Sequence, residues 1–250
     1  MNFNIKILFL LKCILIIQTS NSEHFGDLPM QNPDLFEGDI LGIPDVEARN
    51  AISDEKRRWP NGIIYYFIDN ALKSVEPEIE KIMRDYESNT CLIFKKRTDE
   101  EDYVRIFQGE GCYSNVGKTG GAQPLSLGHG CYWAGTMAHE LGHAIGFFHE
   151  HNRSDRDDYI HIFWHNVKPD MKNQFKKYSR FEITLYNDFE YESIMLYGET
   201  AFSKSSKFKT MVAKKEGVRL REVHEKSKPT ESDYYRVNKM YNCKQFLKDE

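Results

Sequence analysis

The chain has 250 residues, with 34 basic and 38 acidic side chains, a formal net charge of -4 and 40% hydrophobic residues. The excess lies at the front: residues 1–49 hold three basic and seven acidic side chains, which leaves 31 of each beyond them. A balanced main part without a basic stripe argues against nucleic acid and against an anionic membrane as partners.

Residues 1–22 read as a secretory signal, with Lys6 near the start, an apolar stretch over 7–17 and small or polar residues after it. Lys12 interrupts that stretch and it is short for a membrane span, so removal rather than anchoring is expected, and the protein is expected to be exported. Nothing else in the sequence is apolar enough to cross a bilayer. Residues 23–49 carry seven acids, Arg49 as their one Lys or Arg, and several Pro and Gly. That composition predicts an extended segment without its own core, read as a propeptide. Residues 50–250 then form one domain, large enough for a substantial core.

Along that domain, a β-branched and aromatic run predicts a strand over 62–68. Helical spacing over 75–86, with Glu76, Pro77 and Glu78 at its start, predicts a helix. Apolar runs at 91–94 and 103–107 predict two more strands. The glycine-rich stretch 109–121 reads as irregular, and 123–127 as an edge strand that could pair with an extended substrate. A helix is expected over 133–146, regular signals thin out past His149, and 231–241 reads as a closing helix. No internal repeat is present.

Cys13 falls in the signal, leaving Cys91, Cys112, Cys131 and Cys243. An even number in an exported chain predicts two disulfides, for which composition allows three pairings. Closeness in sequence favours Cys112 with Cys131, which leaves Cys91 to join Cys243. A second zinc site is disfavoured, because no pair has C-x-x-C spacing.

The chemistry concentrates in His139-Glu140-Leu141-Gly142-His143-Ala144-Ile145-Gly146-Phe147-Phe148-His149-Glu150. Residues four apart share a helix face, so His139 and His143 project side by side and can hold one metal ion. Glu140 neighbours that ion without binding it, where it can take a proton from the attacking water and return it to the departing amine. Gly146 can adopt the backbone conformation that ends a helix and turns the chain back, delivering His149 as third ligand. An H-E-x-x-H alone arises by accident in roughly a few per cent of chains of this size and composition. Glycine and a third histidine at fixed spacing lower that to well below about one in a thousand, which sets aside a mere helix with satisfied core histidines.

The run continues as Glu150-His151-Asn152-Arg153-Ser154-Asp155-Arg156-Asp157, and Ser193-Ile194-Met195-Leu196-Tyr197 follows downstream. Together with Trp59-Pro60-Asn61-Gly62, Gly111-Cys112-Tyr113-Ser114-Asn115-Val116-Gly117 and Asn238-Lys239-Met240-Tyr241-Asn242-Cys243, these residues resemble the astacin family of metzincin zinc endopeptidases over nearly all of 50–243. The resemblance implies an α+β fold in two lobes: a twisted sheet and helices in the N-terminal lobe, an irregular C-terminal lobe, and one zinc in the cleft between them. It implies zinc on His139, His143 and His149, Glu140 as catalytic base, and pairs Cys91–Cys243 and Cys112–Cys131. Tyr197 would ligate the resting metal and swing away to stabilise the oxyanion, with Met195 as an apolar floor beneath the site. Leu196 departs from the family, which usually carries His there.

Phe36-Glu37-Gly38-Asp39 resembles the family's F-x-G-D motif, in which the aspartate occupies the water position on zinc and keeps the zymogen inactive. Cleavage after Arg49 by a trypsin-like enzyme would free the amine of Asn50, which the resemblance sends to a buried site near Glu150. Lys56-Arg57-Arg58 is a rival processing site. Asp155, Arg156 and Asp157 are expected to brace the loop by ion pairs rather than to act in catalysis. Asn152-Arg153-Ser154 meets the glycosylation sequon but sits in that same tight loop. The function read from all this is a secreted zinc-dependent endopeptidase acting on proteins or peptides. The alternative is a secreted binding protein or toxin that keeps the fold, with hydrolysis incidental.

Overall fold

The computed structural model describes residues 29–42, 55–180 and 182–247. The signal sequence, Arg49 and Asn50 therefore lie outside the described residues.

A five-stranded sheet forms from β1 (Ile63–Ile68), β2 (Ile93–Lys96), β3 (Tyr103–Phe107), β4 (Cys112–Ser114) and β5 (Ala122–Leu127), in the order β2-β1-β3-β5-β4. Strands β2, β1, β3 and β5 run parallel, and β4 pairs antiparallel with β5. Helix α1 (Glu76–Asn89) starts with Glu76 and Glu78 in its first turn and Pro near its N-terminus, where a missing N–H costs nothing and acids oppose the helix dipole. It buries Ile79, Ile82, Met83 and Tyr86, the i, i+3, i+4, i+7 stripe of an amphipathic helix. That stripe faces α2 (Ala134–Ile145), and Tyr86 donates to the carbonyl of Ala138 at 2.9 Å.

The expected elements occur with shifted ends: α1 runs three residues further than its spacing suggested, and the strand expected at 91–94 forms at Ile93–Lys96. One expectation is corrected. Strand β5 is not an edge, because β3 and β4 occupy its two sides. The edge is β4, three residues inside the glycine-rich stretch, too short to leave a periodic signal.

Beyond His149 the chain builds a second half with little regular structure, containing the two-stranded β6 (Ile160–Ile162) and β7 (Met211–Ala213) and closing on α3 (Glu231–Met240). Helix α3 is capped by Thr230, whose hydroxyl accepts from the Asp233 amide while the Asp233 side chain accepts from the Thr230 amide. The disulfides are Cys91–Cys243 and Cys112–Cys131. The first ties the start of β2 to the end of α3, and the second ties β4 to the approach to α2. The carbonyls at the end of α2 are satisfied from outside the helix: Trp59 Nε1 donates to Ala144 and the Tyr241 hydroxyl to Ile145, at 2.9 and 2.7 Å. Both ends of the domain thus converge on the helix that carries the H-E-x-x-H run.

Residues 29–42 lie across both halves. The amide of Cys112 donates to the carbonyl of Pro29, that of Ser114 to Asp39 and that of Leu41 to Ser114, at 2.7, 2.9 and 2.9 Å, so the segment lines the outer side of β4. On the other half, Phe202 N donates to Gln31 and Gln174 Nε2 to the carbonyl of Leu35. Among the described residues no helix is long and apolar enough to cross a membrane.

Candidate metal centre and active site

Helix α2 ends as the sequence implies. Gly146 takes φ 138°, and the amides of Gly146 and Phe147 both donate to the carbonyl of Gly142, at 3.1 and 3.0 Å. The chain turns back and brings His149 against the two helical histidines. His139, His143 and His149 meet Asp39, and the ligand atoms of the four lie within 4.8 Å of one another, fully buried. His139 Nε2 lies 3.1 Å from Asp39 Oδ2 and 3.2 Å from His149 Nε2, while His143 Nε2 and His149 Nε2 lie 3.3 and 3.2 Å from Asp39 Oδ1.

This arrangement fits a zinc ion. Ligands at about 2.0–2.1 Å in a tetrahedron stand roughly 3.3 Å apart, close to the 3.1–3.3 Å of these four contacts. Each imidazole also has an outer partner that fixes which nitrogen faces inward. Nδ1 of His139 donates to the carbonyl of Ile194 at 2.7 Å, that of His143 to the carbonyl of Phe147 at 2.6 Å, and that of His149 to Glu37 Oε2 at 2.7 Å. Such outer hydrogen bonds set the tautomer and aim a metal-binding ring. His143 Nε2 and Asp39 Oδ1 are buried without a hydrogen-bond partner, as expected of atoms whose partner is a cation.

The electrostatics follow. Burial would raise the Asp39 carboxyl, but His149 and His143 beside it outweigh that and hold it well below the ordinary range. Burial pushes His139 down to about 3, against the opposing pull of Asp39. At His149 burial also pushes down, but Asp39 and Glu37 together carry it up to about 9. Glu140 is wholly buried, and neither of its oxygens has a hydrogen-bond partner. Burial first, then the charge of Asp39, raises its carboxyl well above the usual value.

Asp39 reaches the centre because Gly38 has φ 93° and no Cβ; a Cβ there would lie 2.7 Å from the Met30 carbonyl and 2.8 Å from the Phe202 ring. Tyr197 is buried, and its hydroxyl donates to Asp39 with the Met30 carbonyl at 2.7 Å. Met195 is buried with its sulfur packed on Gly142, the residue before His143. Its carbonyl accepts from the Glu150 amide at 2.9 Å, which ties the third histidine to this turn. Asp233 of α3 holds the same turn, accepting from the Ser193 hydroxyl and the Ile194 amide at 2.6 and 2.9 Å. Lys226 Nζ donates to the Ser193 and Leu196 carbonyls at 2.7 and 2.5 Å. Leu196 is completely buried, and its carbonyl is held by Lys226.

Residues 51–242 match the family model described as Astacin, a family of peptidases. The chain belongs to the astacin family. It is 46% identical over 214 residues to astacin-like metalloprotease toxin 1 of Loxosceles intermedia, covering 84% of this chain and 81% of that one. It is 43% identical over 224 residues to zinc metalloproteinase nas-4 of Caenorhabditis elegans, covering 87% and 68%. High choriolytic enzyme 1, a hatching enzyme zinc-protease from Oryzias latipes, superposes with a TM-score of 0.68 at 35% identity, over 74% of this chain and 93% of that one. As an astacin, the protein is a zinc metalloendopeptidase using one zinc ion, and the group of three histidines and one aspartate is the place for it.

Three sequence expectations meet the structure differently. The Asp155–Arg156–Asp157 loop is braced as expected, by Arg153 on Asp155, Arg156 and Lys177 on Asp157, and Arg156 on the carbonyls of His151 and Phe175. Asn152 is fully buried and donates to the carbonyls of Gln174 and Lys176, so it is not presented for glycosylation. Asn50 lies outside the described residues, but its expected destination already has partners. Glu150 is gripped by Arg236 at 2.7 and 2.8 Å and by Arg153 at 3.3 Å, and accepts from the Glu190 amide at 2.8 Å. In the uncut chain the Glu150 carboxylate is thus compensated by Arg236 and Arg153. Sequence reasoning had no means of finding Arg236, Glu37 or Tyr178, because each acts on a residue more than 80 positions away.

Proposed function

We propose that this astacin is made as a secreted, latent precursor in which residues 23–49 are a propeptide and Asp39 blocks the metal centre until the segment is cut away. The observation that carries this reading is the Asp39 carboxylate standing among the Nε2 atoms of His139, His143 and His149, delivered by a segment that also covers β4. Two disulfides suit an oxidising compartment, and residues 1–22 serve as the export signal. Processing after Arg49 by a trypsin-like protease would divide residues 1–49 from the catalytic domain, 50–250.

In the processed enzyme, His139, His143 and His149 would hold the zinc, which would supply Lewis acidity toward water and the scissile carbonyl. Glu140 takes the proton of the attacking water and delivers it to the departing amine. Without Asp39, the Tyr197 hydroxyl would lose that acceptor and would be available to the metal or as a donor to the oxyanion of the attacked carbonyl. An extended peptide pairs along the β4 edge, in the place held here by residues 39–41. A cavity of about 240 Å3 opens beside Tyr197, where Met30 of the segment now faces Trp133, Thr136, Val223 and His224; in the processed enzyme the catalytic-domain side of that cavity would receive a side chain of the peptide.

The test compares wild-type and Asp39→Ala precursors on a quenched fluorescent peptide with zinc present. The wild type should be silent until treated with trypsin, and the variant should cleave beforehand. A variant as latent as the wild type would overturn the role of Asp39, and a chain inert after processing at Arg49 would favour a binding protein.

A further inference from the structure

The three histidines differ in one respect. The outer partners of His139 and His143 are main-chain carbonyls of the catalytic domain, at Ile194 and Phe147. The outer partner of His149 is a carboxylate, Glu37, on the segment that also supplies Asp39. Glu37 is 1% exposed and sits at φ 52°, a left-handed conformation that a glutamate adopts only where its surroundings hold it. Its other oxygen accepts from the Tyr178 hydroxyl at 2.5 Å, and Tyr178 is itself fixed by its amide on the Asn152 carbonyl and by its ring on Phe148.

We propose that Glu37 is a precursor-specific positioning residue that aims His149 and so strengthens zinc retention before processing. The proposal rests on residues 23–49 being removed on activation. A carboxylate accepting from Nδ1–H makes the imidazole a better ligand and fixes its ring, and such outer partners are typically worth 10–100-fold in metal affinity. The segment therefore acts on the centre at two points: Asp39 fills the fourth position, and Glu37 braces the third ligand from behind. Its loss releases a block and loosens a ligand in one event, leaving the His149 ring freer to adjust when substrate enters.

The design of the test follows from where Glu37 lies. Precursors carrying Glu37→Gln and Glu37→Ala become identical in sequence to the wild type once cut after Arg49. Zinc loss to an excess of chelator is followed in each precursor, and the visible absorption of the cobalt-loaded forms reports the geometry at the metal. Glu37→Ala should lose zinc about 10–100-fold faster than the wild-type precursor. Glu37→Gln, which keeps an acceptor but not the charge, should fall between, because a charged acceptor makes roughly twice as strong a bond. After processing, all three should lose zinc at one rate and give one cobalt spectrum. Equal zinc retention by the three precursors would overturn the proposal. If Glu37→Ala does not fold, the isosteric Glu37→Gln carries the comparison alone. A wild-type precursor that is fully active would refute latency, while the retention series would still decide the role of Glu37.

Discussion

Arg236→Met should destabilise the domain by about 3 kcal/mol and do so through Glu150. In the wild type, Glu150 is 4% exposed and Arg236 5% exposed, and the two make a bidentate pair at 2.7 and 2.8 Å. Without Arg236, Glu150 Oε1 keeps Arg153 and the Glu190 amide, but Oε2 loses the partner it has here. Removing one member of a buried ion pair costs about 3–5 kcal/mol because the other charge is left uncompensated. The remaining Arg153 guanidinium places this case at the lower end. Adding Glu150→Gln removes that charge, so the double variant should be more stable than the sum of the single losses by about 2 kcal/mol. Urea unfolding of the processed protein at one fixed zinc concentration measures this cycle, since bound metal shifts apparent stability. In a heating experiment about 3 kcal/mol corresponds to about 6–12 °C in a domain of this size. A single-variant loss below about 1 kcal/mol, or strictly additive losses in the cycle, would refute the claim that Arg236 is the charge partner of Glu150.

Glu140→Gln should keep zinc at wild-type stoichiometry while peptide cleavage falls by about 10²–10⁴-fold; metal analysis beside a fluorogenic assay checks both, and wild-type turnover would remove Glu140 from the mechanism. Stripping zinc with a chelator should abolish cleavage and lower the melting temperature, and added zinc should restore both. Lys226 offers a pH test, since burial pushes its ammonium down to about 8, with Asp233 opposing. The folded value lies below the roughly 10.4 of an unfolded lysine, so between these values the unfolded chain binds more protons and folding stability rises with pH. Denaturation at a series of pH values should show wild type gaining about 2 kcal/mol relative to Lys226→Met from about pH 8 to 10; parallel curves would show that Lys226 keeps an ordinary pKa.

What the sequence revealed, and what it hid, follows from the range of each interaction. The zinc run was legible because a spacing of four on a helix is itself geometry, and Gly146 encodes the turn that adds His149. Helix α1 was legible by the stripe Ile79, Ile82, Met83 and Tyr86, and β1 by its β-branched and aromatic run. Strand β4 was not, since three residues carry no period and its pairing is fixed by β5 and by residues 39–41. The balance of charge beyond residue 49 said nothing of Arg236, which is set opposite Glu150 only when α3 folds back on the third ligand. Glu37 appeared only as the variable position of the Phe36-Glu37-Gly38-Asp39 motif, and its contact with His149 spans 112 positions of sequence.

The contacts between residues 29–42 and β4 bear on how little has to be destroyed to switch such an enzyme on. While the segment is tethered, it meets the cleft at an effective concentration on the order of millimolar; once severed, it competes only at its concentration in bulk solution. If the segment holds the enzyme latent, as proposed, a single cut would end inhibition and leave the inhibitory piece chemically whole. On that reading, the excised piece with its Phe36-Glu37-Gly38-Asp39 turn would be a template for a soluble peptide inhibitor, whose affinity should rise when it is cyclised to hold that bend.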